Sequence, residues 1–419
     1  MEPQKSGTRR ANGEGTIKQR KDGRYEAQVF VTTPDGQWTR KSVYGKSWED
    51  CNNKKIELQD ANRRGIPVSN TKLTVAQFFA YWLKEIAEPS VRRTTFSSYE
   101  GLTRLYIIPG IGKKKLKELT AQHIRSWLNT VSKTCQCCAQ DKDVKWAEKP
   151  GREARCCARK PKECCKSVPA SASIRYLLRL LRAALQDAME EDLLSRNVAT
   201  LVKLPGTGKR QHRAWSAAEA TKFLATAKEH RLYGLWAVGL AIGLRRGEAL
   251  GLRWQDVDLV GGKVTIAQAL HRVDGKLSLD EVKTEASAAT IPLPTPLVAI
   301  LRRHKAGQAG ERLAAGERWR NSGLVFTTPI GTPIEPRNIN RTFEALCVKA
   351  DVRVIRVHDM RHTAATILFT LGVEAATVQR ILRHSSISVT TGTYIEVIDS
   401  VQHDAVNRMG VLFDEATGE

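Results

Sequence analysis

Polar and apolar residues alternate through residues 13–44, and two turn sequences divide this stretch into three short runs. The turns are Lys21-Asp22-Gly23 and Pro34-Asp35-Gly36. Because Asp-Gly between alternating runs is typical of a hairpin, the pattern predicts a three-stranded antiparallel sheet. Ser47 stands where a helix N-cap is expected, and a helix is predicted over residues 48–63.

Between residues 74 and 191 the apolar residues recur at helical spacing instead. Helices are predicted at residues 75–86, 94–105, 121–131 and 172–191. The sequence Ile-Ile-Pro-Gly-Ile-Gly at 107–112 is expected to break the second of these helices. An insertion at residues 134–168 separates the last two helices. It has almost no apolar periodicity, so it cannot bury much of a core by itself.

A third pattern follows the basic, glycine-containing linker at residues 204–210. A helix capped by Ser216 is expected to reach residue 227, and the almost wholly apolar residues 232–242 predict a buried helix. Extended runs on both sides of Asp274-Gly275, with residues 289–293, predict a small antiparallel sheet. Further helices are predicted at residues 296–306, 337–349, 358–370 and 375–382.

Together these patterns predict an α+β protein that is mainly helical. We expect a small N-terminal three-stranded sheet with one helix, an all-helical middle domain, and a mixed helical C-terminal domain that holds a small antiparallel sheet. The predicted domains are residues 1–65, residues 72–204 with the insertion at 134–168, and residues 211–419.

The charge balance of the chain favours a polyanionic partner. Its 67 Lys and Arg residues exceed its 44 Asp and Glu residues, which gives a formal net charge of +23. A basic excess spread along the whole chain is typical of nucleic-acid binding, although a basic surface can also serve solubility alone. No apolar segment follows the polar residues 1–10, and the longest apolar run, at 235–244, is too short to span a bilayer. We therefore expect a cytoplasmic protein without a membrane partner.

Basic residues in two places are candidates for DNA contacts. One set is expected on the open face of the predicted sheet, where a strand can enter a major groove, and an ordinary solvated face is the alternative. The other set follows the predicted helix break. The candidates are Lys18, Arg20, Arg24, Arg40 and Lys41 on the sheet, and Lys113, Lys114 and Lys115 after the break.

Seven of the nine cysteines lie in the insertion, as Cys135, Cys137, Cys138, Cys156, Cys157, Cys164 and Cys165. Grouped thiols in a reducing compartment suggest tetrahedral zinc, and structural zinc is the interpretation we favour. The spacing matches no standard zinc knuckle. A disordered basic loop with incidental thiols, or redox-active cysteines, are the alternatives.

The C-terminal half carries five short motifs that combine arginine, lysine, histidine and tyrosine. In chain order they are Gly243-Leu244-Arg245-Arg246-Gly247-Glu248, Val282-Lys283-Thr284, His358-Asp359-Met360-Arg361-His362-Thr363, Leu382-Arg383-His384-Ser385-Ser386, and Tyr394. Two arginines can present planar forks of donors to phosphate oxygens. His358 and His384 can donate hydrogen bonds or carry a proton, and a tyrosine hydroxyl can act as a nucleophile.

These motifs, in this order, resemble the signature of tyrosine recombinases, and more narrowly of phage and conjugative-element integrases. The resemblance implies that Tyr394 attacks a DNA phosphate and forms a 3′-phosphotyrosine, while Arg245, Arg361, His358 and His384 hold the phosphate. Lys283 is expected to protonate the leaving oxygen, and Glu248 is expected to support one of the arginines or histidines. No metal, ATP or other cofactor is required for this chemistry. Residues 1–65 are similar to an arm-type DNA-binding domain, 72–204 to a core-binding domain and 211–419 to a catalytic domain.

Three alternative interpretations remain, and the sequence departs from the family pattern in two places. A type IB topoisomerase or a resolvase of replicon dimers uses similar residues, and a DNA-binding regulator would explain the charge without the motifs. The pair His358 and His362 has the spacing of zinc ligands, but the sequence between them is not that of a metalloprotease. The family often has Gly where Arg383 stands, so the turn before His384 is expected to differ. The residues after Lys283-Thr284 also depart from the family pattern.

The resemblance further implies the partners. They are double-stranded DNA attachment sites, three further copies of the chain in a synaptic tetramer, and an excisionase or a host DNA-bending protein. The apolar residues after Tyr394 are expected to dock on a neighbouring protomer or to pack on their own chain. The expected location is the nucleoid of a bacterial or phage-infected cell.

Overall fold

The computed structural model describes residues 16–32, 37–63, 73–159, 164–206, 214–281, 289–383 and 386–387. The chain divides into two units, Met1–Thr207 and Gly208–Glu419, and each is described by itself below. The predicted turn at residues 34–36 and the apolar segment after Tyr394 lie outside the described residues. None of the helices in the described ranges combines the length and apolarity that a membrane crossing needs.

The first unit opens with the predicted sheet and helix. Its antiparallel strands pair in the order β1-β2-β3, and the helix α1 follows them. The elements are β1 (Thr16–Gln19), β2 (Tyr25–Thr32), β3 (Trp38–Gly45) and α1 (Trp48–Arg63). Alternate residues of β2, namely Ala27, Val29 and Val31, are buried on the side that α1 covers. The Ser47 hydroxyl accepts the N–H of Asp50 at 3.1 Å, which is the predicted N-cap.

The rest of the first unit is helical and packs around one apolar core. Phe78, Phe79, Ile107, Leu128 and Leu177 are among its fully buried side chains. The helices are α2 (Val75–Tyr81), α3 (Glu88–Ser90), α4 (Arg93–Leu102), α5 (Ile108–Ile111), α6 (Ala121–Lys133), α7 (Gln136–Ala139), α8 (Lys142–Ala147) and α9 (Ser171–Glu190).

The predicted end of the second helix at residue 105 is wrong, because the helical path continues through Pro109 and ends only at Ile111, within the predicted break at 107–112. A proline ring would clash with the carbonyl four residues earlier in a regular α-helix. Here a π-helical stretch, Thr103–Ile107, precedes it, and the N–H of Ile108 bonds the Thr103 carbonyl five residues back. The wider turn accommodates the proline. The stretch Trp82–Ala87 precedes Pro89 in the same way.

The second unit is built around an apolar helix at residues 233–241, with further helices and two small sheets. Trp215, Phe223, Trp236 and Phe343 form the aromatic centre of its core, with ring centroids 4.9–6.1 Å apart. The helices are α10 (Ala217–Ala227), α11 (Tyr233–Ala241), α12 (Arg246–Gly251), α13 (Thr295–Ala315), α14 (Pro336–Lys349), α15 (Asp359–Thr370) and α16 (Ala375–Leu382).

One small sheet was predicted for this unit, but the structure has two in the described residues. The strands β4 (Val257–Asp258), β5 (Lys263–Thr265) and β8 (Thr290–Pro292) form one sheet. The strands β6 (Gln268–Val273) and β7 (Lys276–Glu281) form a separate hairpin, whose turn at Asp274-Gly275 is as predicted. Both turn residues have positive φ, at 49° and 77°, as a two-residue hairpin turn requires. The fold class, a mainly helical α+β protein with these parts, is confirmed.

Helix α12 packs against the hairpin closely enough to exclude a side chain at one position. A Cβ on Gly251 would lie 2.9 Å from the Cα of Ala269. Because the obstacle is backbone, it cannot move aside cheaply. This contact fixes the helix that carries Glu248.

Candidate functional site

The structure brings together four of the residues predicted for the active site. Arg245, Glu248, His358 and Arg361 all belong to the second unit. Arg245 precedes α12, Glu248 lies in its first turn, His358 precedes α15 and Arg361 lies in the first turn of α15. Lys283, His384 and Tyr394 lie outside the described residues.

A tight turn at Gly243 connects α11 to Arg245. Gly243 has φ of +61°, and a Cβ at this position would lie 2.4 Å from Cδ2 of Leu382. A side chain would therefore be strained in the backbone and would collide with α16. The carbonyl of Gly243 accepts a hydrogen bond from Nη1 of Arg361 at 2.7 Å.

Arg361 is buried and joins three segments of the second unit. Its side chain is on α15, and its Nη2 donates to the carbonyl of Leu382 at the end of α16. Its Nη1 reaches the turn at Gly243, so one guanidinium ties two backbone turns to α15. Only 3% of the residue is exposed. This burial holds the cation in a fixed position, which charge stabilisation requires.

Glu248 is the acidic centre of the site and is also buried, with 4% of its surface exposed. Its carboxylate accepts Nη1 of Arg245 at 2.7 Å and the backbone N–H of the same residue at 2.9 Å. It also accepts Nη2 of Arg383 at 2.5 Å. Burial raises the pKa of Glu248, but the cations Arg383 and Arg245 outweigh it and hold the pKa below its ordinary value.

Arg383 is a part of the site that the sequence did not indicate. It is 3% exposed and follows α16 in the left-handed conformation, with φ of +55°. The turn before His384 was expected to differ from that of a glycine, yet Arg383 adopts a conformation that glycine favours. The ion pair with Glu248 offsets the strain of that conformation. Its Nε and Nη1 atoms are buried and make no hydrogen bond to any residue that the structure describes. Burial lowers the pKa of Arg383.

The two histidines of the third motif, His358 and His362, lie side by side. The rings of His358 and His362 are 5.5 Å apart and perpendicular. Burial of part of the ring, followed by the neighbouring Arg361, Arg356 and Arg245, lowers the pKa of His358, and Asp359 only partly opposes them. The neutral imidazole is therefore favoured at pH 7, so His358 can donate one hydrogen bond and accept another.

The guanidinium groups of Arg245 and Arg383 contact the Glu248 carboxylate directly. A third guanidinium, that of Arg361, bonds the carbonyl of Gly243 in the adjoining turn. The positive charge of Arg245, Arg361 and Arg383 exceeds the negative charge of Glu248. The side chain of Arg245 is 39% exposed and is the one of the three that solvent reaches most readily. An oxyanion such as a phosphodiester matches this excess charge and the planar donor geometry.

The sheet of the first unit presents a second basic surface. The exposed face carries Phe30, Trp38 and Tyr44, which are 49%, 70% and 43% exposed. The guanidinium groups of Arg40 and Arg20 lie over the rings of Phe30 and Tyr44, each at 5.3 Å. Exposed aromatic rings with cations stacked on them are unusual for a merely solvated face.

Among the predicted sheet residues, Lys18 and Arg40 belong to this face by register, because they are paired with Glu26 and Phe30. The expectation that Lys41 shares the face is wrong. Lys41 is the strand neighbour of Arg40 and is paired with the buried Val29, so it points to the opposite side.

The remaining basic candidates lie at turns. Arg24 is paired with Asp22 at 2.6 Å in the first turn of the sheet. Lys115 is paired with Glu118 at 2.8 Å, while Lys113 is exposed and Lys114 is half-buried.

The seven cysteines of the insertion come together in one cluster. Sγ–Sγ distances of 3.6–3.9 Å join Cys135 to Cys157 and Cys165, Cys157 to Cys165, Cys137 to Cys156, and Cys138 to Cys164. All of them are free thiols. In a regular tetrahedral zinc–thiolate site, bonds of about 2.3 Å separate the sulfur atoms by about 3.8 Å. The cluster geometry is therefore compatible with a metal site.

A buried carboxylate organises the loop that carries two of these cysteines. Asp143, on α8, accepts the backbone N–H groups of Arg155, Cys156 and Ala158, each at 2.9 Å. The bonds from Ala158, Arg155 and Cys156 lower the pKa of Asp143 to about 2. This role was not predicted, because Asp143 is one of several acidic residues in a charged segment.

Comparisons with known proteins agree with this geometry. The model of the phage integrase family matches residues 214–400, and the N-terminal SAM-like domain of phage integrases matches residues 74–132. A tyrosine recombinase XerC-like protein of Caldanaerobacter subterraneus is 30% identical over 414 residues, which cover 94% of this chain and 98% of the relative.

Two solved structures share the fold. The Tn1549 transposon integrase in complex with transposon right end DNA has a TM-score of 0.62 at 19% identity, and the match covers 81% of this chain and all of the other. The lambda integrase tetramer bound to a Holliday junction has a TM-score of 0.52 at 15% identity, covering 92% of this chain and 96% of the other.

The family match and the full-length relative identify a DNA strand-exchange enzyme. The chain belongs to the tyrosine recombinase family, which is also described as the phage integrase family. It is a site-specific recombinase that breaks and rejoins DNA.

The contacts of Glu248 predict a pH-dependent loss of stability on its replacement. Glu248→Gln leaves Arg383 buried without a counter-ion, and breaking one partner of a buried pair costs about 3–5 kcal/mol. Because the folded pKa of Glu248 is lowered, its contribution is present above its ordinary value near 4.5 and is lost as the pH falls through the folded pKa. The stability difference between wild type and variant should therefore be largest at neutral pH and should shrink below pH 4.5.

Denaturant unfolding at a series of pH values measures this difference. Asp351→Asn is the matched control, because Asp351 pairs with Lys222 but its side chain is 93% exposed. Because solvent screens so exposed a pair, that change should leave the stability nearly unchanged. An equal effect of the two substitutions at pH 7 would contradict the importance of the buried carboxylate.

Proposed function

We propose that the recombinase integrates and excises a mobile genetic element through a 3′-phosphotyrosine formed on Tyr394. The observation that carries this proposal is the cluster of Arg245, Arg361 and Arg383 around Glu248. It places three guanidinium groups close to one buried carboxylate. Among the relatives, the integrase of Tn1549 is by name a transposon enzyme, and the lambda enzyme is also an integrase.

In the proposed mechanism the arginines stabilise the phosphate while the tyrosine attacks it. Arg245 and Arg361 donate to the two non-bridging oxygens, whose negative charge grows in the transition state. The neutral imidazole of His358 donates a further hydrogen bond, and His384 is assigned the same task. The exposure of Arg245 makes it the guanidinium that meets the DNA first. The bonds of Arg361 to the carbonyls of Gly243 and Leu382 hold its guanidinium in position for the second oxygen, and buried Arg383 holds Glu248.

The strand is cleaved without loss of the phosphodiester energy. The Tyr394 oxygen forms a bond to phosphorus as the P–O5′ bond breaks, and the tyrosine proton leaves to a neighbouring base. Lys283 gives a proton to the departing 5′ oxygen. A 5′-hydroxyl of the partner strand then attacks the phosphotyrosine, which reverses the same steps and restores the tyrosine. The chemistry needs neither ATP nor a catalytic metal.

Partners follow from the same proposal. The substrate is double-stranded DNA that carries the attachment sites. Four protomers assemble on two duplexes, as the lambda integrase tetramer does on its Holliday junction. An excisionase or a DNA-bending host protein would set the direction of the reaction. The protein would act at the nucleoid in the bacterial cytoplasm.

The first unit is assigned two DNA-binding parts and one metal-binding part. The sheet face with Lys18 and Arg40 is the arm-type surface, in residues 1–65. Residues 72–204 form the core-binding domain, to which Lys113, Lys114 and Lys115 contribute charge. The cysteine cluster holds structural zinc, because its sulfur atoms have tetrahedral spacing and the segment around them lacks an apolar core.

The catalytic part predicts a sharp difference between two neighbouring arginines. Arg245→Lys removes the planar fork that holds the phosphate, so covalent adduct formation should slow by about 100-fold or more. Arg246 is exposed and bonds Asn340 at 2.9 Å, so Arg246→Lys is the matched control and should remain within about twofold of wild type.

The rate of adduct formation on a nicked duplex that carries the crossover site gives the measurement. Equal rates for the two variants would contradict the proposed role of Arg245. Exchange between two defined sites, without general relaxation of supercoils, separates the recombinase from a topoisomerase.

The sheet face predicts a change in the salt dependence of DNA binding. Arg40→Ala removes one cation from the face, so affinity for a duplex should fall and the slope of log K against log salt should become shallower by about one. Lys55→Ala, on α1, is the control and should keep the wild-type slope. Titrations by fluorescence anisotropy at several salt concentrations measure both. A slope unchanged by Arg40→Ala but reduced by Lys55→Ala would place the DNA elsewhere.

A further inference from the structure

The seven cysteines divide into two groups of four that share one member. Cys135, Cys138, Cys157 and Cys164 form the first group, and Cys137, Cys156, Cys157 and Cys165 form the second. Within each group all sulfur atoms lie within 4.8 Å of one another. Each cysteine of the cluster belongs to one group, except Cys157, which belongs to both.

We propose that the insertion holds two zinc ions, each bound by four thiolates, and that the Cys157 thiolate bridges them. The inference rests on the proposed zinc site and extends it to the number of ions and to the shared ligand. One ion would leave three thiols clustered without a ligand role. Two ions with separate ligands would need eight cysteines, and the insertion contains seven.

The position of Cys157 suits a bridging ligand. It is buried, whereas Cys164 and Cys165 on the other side of the loop are exposed. Its Sγ lies 3.9 Å from that of Cys135 in the first group and 3.6 Å from that of Cys165 in the second. A shared thiolate must contact ligands of both ions, and Cys157 does so.

Backbone contacts hold the bridging cysteine in place. The N–H of Cys165 donates to the Cys157 Sγ at 3.4 Å, and the N–H of Lys166 donates to the Cys164 Sγ at the same distance. Such donors favour thiolates over thiols. The three bonds from the 155–158 loop to Asp143 fix the backbone on both sides of Cys157.

The cluster replaces the apolar core that the insertion lacks. Its two helices have four and six residues, too few to be stable alone. The N–H of Gln136 bonds the Ser167 carbonyl at 2.8 Å, so the two ends of the insertion meet. Trp146 is covered by Arg152 and Arg155, whose guanidinium carbons lie 3.7 and 3.5 Å from its ring centroid. Metal–thiolate bonds then join the loop to these short helices.

Two measurements on the full-length chain test the proposal. Native mass spectrometry of protein purified with zinc under reducing conditions should show two zinc ions per chain. In protein reconstituted with the isotope cadmium-113, NMR should show two metal resonances that are coupled to each other, because a shared sulfur provides the coupling path. Cys157→Ser should remove the coupling and lower the metal content, whereas Cys347→Ala, which changes a buried cysteine of the second unit, should leave two ions.

The other outcomes separate this proposal from the simpler one. A single ion per chain would overturn the two-ion cluster while leaving structural zinc intact. Two uncoupled resonances would overturn the bridging role of Cys157 alone. A folded chain without metal, whose cysteines form disulfides, would overturn both the cluster and the zinc site.

Discussion

The second unit depends on a buried carboxylate that holds arginines from two separate segments of the chain. Glu248 lies at the start of α12 and pairs with Arg245 beside it and with Arg383 at the end of α16. Burying Glu248 and Arg383 is costly, and loss of either one would leave the other as an uncompensated buried charge. Arg361 adds a second tie through the carbonyls of Gly243 and Leu382. The result is a rigid cationic surface of the kind that a phosphoryl-transfer site requires.

The two units stabilise their irregular segments in different ways. In the first unit, π-helical turns allow two prolines to stand within continuous helices, so Pro89 and Pro109 do not interrupt the core. The insertion has almost no core, and we infer that metal–thiolate bonds take its place. In the second unit, α12 contacts α11, α14 and the hairpin strand β6, where Gly251 approaches the backbone of Ala269 closely.

Much of the fold followed from local patterns. The capped helices after Ser47 and Ser216 and the Asp274-Gly275 hairpin were predicted because caps and two-residue turns are set by neighbouring residues. The continuation of α4 past Pro109 was not, because a π turn depends on packing and not on residue type. The pairing of strands across residues 263–292 was predicted wrongly, because it also depends on tertiary packing and not on the local sequence.

The candidate site also combines residues that local motifs predicted with residues that they did not. Arg245, Arg361 and His358 were found through their motifs, which are local. The role of Arg383 was missed because its partner, Glu248, lies 135 residues earlier in the chain. The Asp143 contacts were missed because a carboxylate that accepts three backbone N–H groups looks, in sequence, like any other surface acid. The placement of Lys41 was an error of strand alternation, since neighbours on a strand cannot share a face.

The proposed mechanism is tested by identifying the residue that becomes covalently linked to DNA. A suicide duplex that traps the covalent intermediate can be digested, and the modified peptide can be identified by mass spectrometry. We expect the proposed mechanism to give one adduct, on Tyr394, joined to a 3′-phosphate, with a free 5′-hydroxyl on the released strand. An adduct on another residue, or a 5′-phosphate linkage, would contradict it.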